Sequence, residues 1–428
     1  MSKSLIIRNI AELAGLVPAG VLRKCGAEMS TVDSLRKAWL VVSDGRIAAF
    51  GDGTEPAADA AIDADGGMVL PAFCDSHSHI VYAGTREGEF LDKINGLSYE
   101  EIAARGGGIL NSADLLHNTS EDELFRQSKE RLDEMIACGS GAIEIKSGYG
   151  LSTEDELKML RVIARLKAAS PALIKATFLG AHAVPRNMSK DAYVDLICNE
   201  MIPAIAAPTL EGNVYGKLTL PCTKPSSYAK PTHAMADFVD VFCDEGFFTV
   251  EDTAKILEAA ARYGIKPKIH ANELAVSGGV QVGVKYGALS VDHLERTTDA
   301  EIEALKGSQT MPTMLPGSSF FLGLPYGRAK EFIAAGLPLA LASDYNPGSS
   351  PSGDMRFVMA LACIRMRLTP AQAFNACTLN SACAMGVSNE VGSITIGKRA
   401  NLIITKRIPS LTFIPYHYRT PFIERVLL

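Results

Sequence analysis

Eight short apolar runs of β character recur through the middle of the chain, at 68–79, 141–149, 174–184, 238–246, 266–273, 289–295, 309–317 and 338–347. Segments of helical character separate them, among them 154–169, 250–263, 275–286 and 326–335. A strand followed by a helix and another strand can pair in parallel, because the helix supplies the crossover. Eight such units in about 300 residues favour a closed (β/α)8 TIM-type barrel over a doubly wound open sheet. Thr153-Glu154-Asp155-Glu156 reads as a capping box at one helix start.

Both ends of the chain read as β. At the front, runs at 5–8, 38–43 and 46–50 surround the turn Asp44-Gly45, a hairpin signal. At the back, runs at 391–396 and 401–405 flank Gly397-Lys398. The expected organisation is a small composite β-sandwich domain from 1–67 and 388–428, around a catalytic barrel at 68–387. Two unrelated edge hairpins are the alternative. Residues 207–232 are rich in Pro, Thr, Ser and Lys without periodicity and read as an inserted surface loop before the fourth barrel strand.

Composition narrows the function classes. Lys plus Arg number 42 against 48 Asp plus Glu, a net charge of -6, so no generic basic nucleic-acid surface is expected. A local basic pocket for an anion remains open. Nine Cys, an odd number without a CxxC pair, point to reduced thiols and a cytoplasmic protein. The N-terminal segment lacks a long apolar run, and no stretch is long and apolar enough to span a membrane. No phosphate loop and no GxGxxG motif follows a strand, so no nucleotide cofactor is indicated.

Five of the eight His lie at the ends of β runs: His77, His79, His182, His270 and His293. Asp344 ends the eighth run. The C-terminal strand ends of such a barrel hold its chemistry. His77 and His79 are two apart, so on a strand both imidazoles share one face. With His270 and Asp344 they form a candidate site of three imidazoles and a carboxylate for one divalent transition metal, left open to water. Such an ion makes water acidic near neutral pH. A base must then move the proton; Glu273, His293 and Asp344 are candidates, with a plain surface carboxylate the alternative for Glu273. His182 is placed to donate to a developing oxyanion or to hold the substrate. Arg86, close after the His pair, offers a planar fork that fits a carboxylate, and Tyr149 ends the second run where its hydroxyl would reach the same anion. His117, His233 and His417 lie away from strand ends and read as solvent or packing residues.

The segments PAFCDSHSHIVYAGTR, GGGI, EIKSGYGLSTEDELKMLR, TFLGAHAVP, KIHANEL, GALSVDHLE and LASDYNPGSSP together resemble the imidazolonepropionase family, within the metal-dependent amidohydrolase superfamily. EIKSGYG and DYNPGSSP are far more specific than HxH alone. The resemblance implies a barrel with a composite β-sandwich and one Zn or Fe ion. It also implies ring opening of 4-imidazolone-5-propanoate to N-formimidoyl-L-glutamate in histidine degradation, and a homodimer. It places the metal ligands at His77, His79, His270 and Asp344, and a catalytic His at His293. Substrate contacts fall on Arg86, Tyr149, His182, Glu273, Asn346, Gly348 and Ser349. Superfamily relatives with two metals use a carboxylated Lys at the end of the fourth strand. Here that run ends Phe242-Cys243-Asp244-Glu245, in keeping with one ion. Ala72 and Ser349 depart from the family pattern, and residues 207–232 are extra.

Overall fold

The computed structural model describes residues 4–97, 101, 107–206 and 234–428. Five strands come first: β1 (Ser4–Leu16), β2 (Asp33–Ser43), β3 (Arg46–Gly51), β4 (Ala60–Asp63) and β5 (Met68–Pro71). Eight follow with helices between them: β6 (Phe73–Asp75), β7 (Ser140–Lys146), β8 (Leu173–Ala181), β9 (Phe238–Cys243), β10 (Lys266–Ala271), β11 (Ser290–His293), β12 (Met311–Met314) and β13 (Ala340–Leu341). The chain ends with β14 (Leu402–Thr405) and β15 (Ile423–Leu427).

β6 to β13 form one parallel eight-stranded sheet in sequential order. The first and last strands meet beyond their ends. Asp344 N–H donates to the His77 carbonyl at 2.9 Å, and His79 N–H donates to the Tyr345 carbonyl at 2.8 Å. The eight expected β runs each contribute one strand to this sheet, and the barrel expected from their alternation is what forms. Its strands are covered by helices outside and by side chains inside, which is why β7 is buried at every position.

The remaining strands make a seven-stranded mixed sheet, ordered β15-β14-β5-β1-β2-β3, with β4 also on β1. Its own apolar core includes Ile7, Leu13, Leu40, Val69 and Leu402. Each such side chain contributes ~1.5–3 kcal/mol by burial, enough to hold two chain ends together that are hundreds of residues apart. The turn between β2 and β3 places Asp44 at φ +50° and Gly45 at φ +72°. Two successive left-handed residues match the twist of a tight hairpin, which explains the Asp-Gly pair.

Three local expectations change. The boundary at 67/68 moves: Met68–Pro71 pairs with β1 and β14 in the mixed sheet, and the barrel starts at Phe73. One apolar run crosses from one sheet to the other, and local hydrophobicity does not mark the crossing. The C-terminal hairpin does not form. Ile394 makes only an isolated bridge to Leu16, while β14 pairs antiparallel with β15. The helix Thr153–Ala168 is capped by Ser152, whose side chain accepts from Asp155 N–H. Glu156 turns back instead to accept from the N–H groups of Gly148, Gly150 and Leu151. The anticipated insertion at 207–232, His233, and Arg105 and Gly106 of the glycine-rich stretch lie outside the described residues. Among the described residues, no helix is long and apolar enough to cross a membrane, and eight Cys are free thiols.

Candidate active site and metal centre

The barrel mouth brings together side chains from both ends of the catalytic unit. His77 and His79 follow β6, His270 lies on β10, and Asp344 follows β13; all four are buried. His77 Nε2 lies 3.2 Å from His79 Nε2, and His79 Nε2 lies 3.4 Å from His270 Nε2. Asp344 Oδ1 lies 3.6 Å from His77 Nε2 and 3.5 Å from His79 Nε2. A tetrahedral ion with bonds of about 2.1 Å spaces its donors roughly 3.4 Å apart. These four separations match that spacing, so the donor set suits one such ion.

Protonation agrees with the geometry. Burial, reinforced by nearby positive charge, holds His77 and His79 well below the ordinary histidine range, so both imidazoles are neutral. His77 Nδ1–H donates to Asp292 Oδ2 at 2.7 Å. His270 Nδ1 lies 3.0 Å from Asp240 Oδ2. A carboxylate can only accept, so Asp292 fixes the proton of His77 on Nδ1 and leaves its Nε2 lone pair facing the mouth. A second overlapping group, His77 with His293 and Asp344, also brings donor atoms close. His293 suits it poorly. Burial opposes its charging, yet the carboxylates of Glu273 and Glu295 overcome this and hold it well above the usual value. A protonated imidazole has no lone pair to offer a metal.

Beneath these residues lies an ionic layer inside the barrel. Lys146, Lys268, Glu144, Asp240 and Asp292 are all fully or almost fully buried. Lys146 Nζ donates to Glu144 Oε1 at 2.6 Å and to Asp240 Oδ2 at 2.8 Å. Lys268 Nζ donates to Glu144 Oε2 and, at 2.8 Å, to the Ser76 carbonyl. Three carboxylates face two ammonium groups, a residual charge of one negative unit under the metal-sized space. Sequence reasoning gave these residues no role. Their signal was present: Glu144 and Lys146, like Lys268 and His270, stand two apart on strands that are otherwise apolar. On a buried strand that period aims them into the barrel.

Glu273 and His293 sit beside the mouth, with Glu273 Oε2 3.6 Å from His293 Nε2. Burial and the neighbouring carboxylates push Glu273 up to about 7, against the opposing pull of His293. The main chain is strained here, with His293 at φ +87° and Asp344 at φ +54°. Such conformations cost on the order of 1–3 kcal/mol each and persist where the surroundings fix them. For Asp344 the barrel-closing bond to the His77 carbonyl does so.

His182 stacks on His79, ring centroids 5.4 Å apart. Burial pulls it down to about 3, and its Nδ1–H donates to the Gly148 carbonyl at 2.9 Å. The neutral ring thus presents Nε2 as an acceptor, which suits the second of its two expected roles, holding the substrate, rather than donation to an oxyanion. Tyr149 lies 5.2 Å from His182 by ring centroids. Arg86 is buried against Glu89, donating through Nε at 2.8 Å and Nη2 at 2.5 Å. Asn346 is fully committed to its own loop. Its Nδ2 donates to the Asp344 carbonyl and Ser349 Oγ, and its Oδ1 accepts from Gly348 and Ser349 N–H. It shapes the loop and has no polar hydrogen left for a ligand. Ser349 Oγ donates to Asp344 Oδ2 at 3.1 Å, which orients that carboxylate. Gly348 leaves room for Arg86: a Cβ there would fall 2.1 Å from Nη1.

Of the expected site residues, all but His77 border one cavity of about 590 Å³, lined by His79, Arg86, Tyr149, His270, Glu273 and Asp344 among others. His117 instead pairs with Asp155 at the surface, and His417 stacks on Phe413.

Comparison with known proteins agrees with this architecture. The amidohydrolase family model matches residues 103–413. The imidazolonepropionase of Flavobacterium johnsoniae is 52% identical over 99% of this chain and 98% of its own length. That of Christiangramia forsetii is 49% identical over 99% and 98%, and that of Thermoanaerobacter pseudethanolicus 38% over 100% and 97%. Among solved structures, a triazine hydrolase variant superposes with a TM-score of 0.72 at 14% identity, covering 99% of this chain and 93% of its own. A zinc-bound adenosine deaminase from Xanthomonas campestris does so with a TM-score of 0.69 at 15% identity, covering 100% and 92%. At those identities the structures speak for the fold alone, but the full-length sequence matches go further: the chain belongs to the imidazolonepropionase family of the amidohydrolases.

Proposed function

We propose that this site hydrolyses the cyclic amide of 4-imidazolone-5-propanoate to N-formimidoyl-L-glutamate, a step of histidine degradation. The observation that carries the reading is the meeting of His77, His79, His270 and Asp344, with four donor separations of 3.2–3.6 Å, beside a cavity that also holds Arg86. His77, His79, His270 and Asp344 would hold one divalent ion, zinc or iron, both of which suit an imidazole–carboxylate set. When bound, the ion supplies Lewis acidity and a water acidified toward neutrality.

The chain's own residues do the rest. Asp344, its second oxygen tied to Ser349, takes the proton of the attacking water. His293, held charged by Glu273 and Glu295, faces the amide carbonyl oxygen as negative charge develops there. The proton that Asp344 takes up passes to the departing ring nitrogen, while ionised Glu273 keeps His293 charged. His182 Nε2 accepts from a ring N–H and sets the plane of the heterocycle. Arg86 and Tyr149 take the propanoate. Holding the amide against the attacking water removes an entropic barrier of up to ~7–11 kcal/mol in ideal cases.

The test is an assay of freshly generated 4-imidazolone-5-propanoate, following loss of the imidazolone chromophore and detecting the formimidoyl product by mass spectrometry. Asp344→Asn abolishes turnover while leaving the circular dichroism spectrum intact. A variant as fast as the wild type would remove Asp344 from the centre.

A further inference from the structure

The residue given the anionic end of the substrate, Arg86, is already neutralised. Its Nε and Nη2 both donate to Glu89 Oε2. The other oxygen of Glu89 accepts from Gly108 N–H at 3.0 Å and from Asn111 Nδ2 at 3.3 Å, so the pair is locked at both ends. Together Arg86 and Glu89 carry no net charge. A fork in this state orients a carboxylate but offers it little excess positive potential.

A second cation borders the same cavity. Lys93 lies in the helix Glu87–Ile94, four residues after Glu89 and on the same face. Its Nζ donates to the Gly348 carbonyl at 3.1 Å and lies 5.5 Å from the centre of the Phe321 ring. Among the described residues, no carboxylate lies within ion-pair distance of it; the Glu89 oxygens are spent on Arg86, Gly108 and Asn111. The two cations frame one residue. Arg86 Nη1 presses on the Cα side of Gly348, where a Cβ would fall 2.1 Å away, and Lys93 holds its carbonyl. An ammonium has three donors, and one is used, so two remain for a ligand.

We propose that Lys93 supplies the uncompensated positive charge that selects a carboxylate-bearing substrate, while the neutral Arg86–Glu89 pair sets that carboxylate's orientation. The local charge is then one positive unit, which matches a single carboxylate. Partial burial beside Phe321 strengthens the attraction relative to an exposed pair. The inference rests on the function proposed above and assigns the selectivity of that same cavity.

The test compares two competitive ligands of the metal-loaded enzyme by calorimetry, imidazole-4-propanoate and its neutral amide, imidazole-4-propanamide. The wild type prefers the carboxylate about tenfold or more. Lys93→Gln keeps a donor for the Gly348 carbonyl but removes the charge. It cuts the preference to about threefold or less by weakening the carboxylate alone, and Lys93→Arg retains it. If Lys93→Gln keeps the wild-type preference, or weakens both ligands equally, the assignment of charge selectivity to Lys93 is overturned. A wild type that does not prefer the carboxylate overturns the functional reading itself, and this inference with it.

Discussion

Replacing Asp292 by Asn separates metal affinity from folding. Asp292 Oδ2 accepts the His77 Nδ1–H bond at 2.7 Å, fully buried. It also lies 3.8 Å from Lys146 Nζ and 3.7 Å from Lys268 Nζ. Asn is nearly isosteric, and its amide oxygen still accepts from Nδ1–H, so the tautomer survives. What disappears is the negative charge, which makes the His77 Nε2 lone pair more basic and offsets the ion's own charge. Losing a carboxylate partner of a metal-binding imidazole typically weakens metal binding 10–100-fold, about 1.4–2.7 kcal/mol. Folding is affected less: three carboxylates against two ammonium groups become two against two, so no buried charge is left unmatched. The assay is competition between apo-protein and a fluorescent zinc chelator, with the cobalt-substituted visible spectrum reporting the ligand field. A zinc affinity within about twofold of wild type, with an unchanged cobalt spectrum, would refute the idea that the ionic layer tunes the centre.

Lys146→Met does the opposite and leaves three buried carboxylates against one ammonium. Breaking a buried ionic network from one side costs about 3–5 kcal/mol, so chemical denaturation shows a lower midpoint than for Asp292→Asn; equal stability of the two would contradict the charge argument. Gly348→Ala forces the end of Arg86 aside without touching the barrel core. KM rises about tenfold or more while the melting temperature stays near wild type; an unchanged KM means that Arg86 does not read the substrate. Stripping the metal with a chelator removes the linkage term, roughly 4 kcal/mol when the free ion stands at a thousand times its Kd. Calorimetry should therefore show a lower melting temperature that readdition of zinc restores, and identical apo and loaded traces would argue against a resident ion.

Much of this architecture was legible in the residues. The alternation of apolar runs and helical segments determined a barrel, because a strand and a helix each carry their period in neighbouring side chains. The spacing of His77 and His79 fixed that both face one side of a strand. Motifs such as EIKSGYG and DYNPGSSP marked the family. Hidden were the features set by contacts between distant segments. Residues 68–79 form one apolar run, yet pairing with β14 takes its first part into another sheet. Asp292 and Asp240 gained a role only when barrel closure set them beside His77 and His270. Asn346 reads as a ligand contact in the motif, but its loop consumes its hydrogen-bonding capacity. Arg86 reads as a fork for a carboxylate, and only the fold shows which carboxylate of the chain, Glu89, already occupies it. Local periodicity is written in neighbouring residues and survives in an isolated sequence. Charge pairing, tautomers and the convergence of donors depend on which strand ends meet, and only the closed barrel decides that.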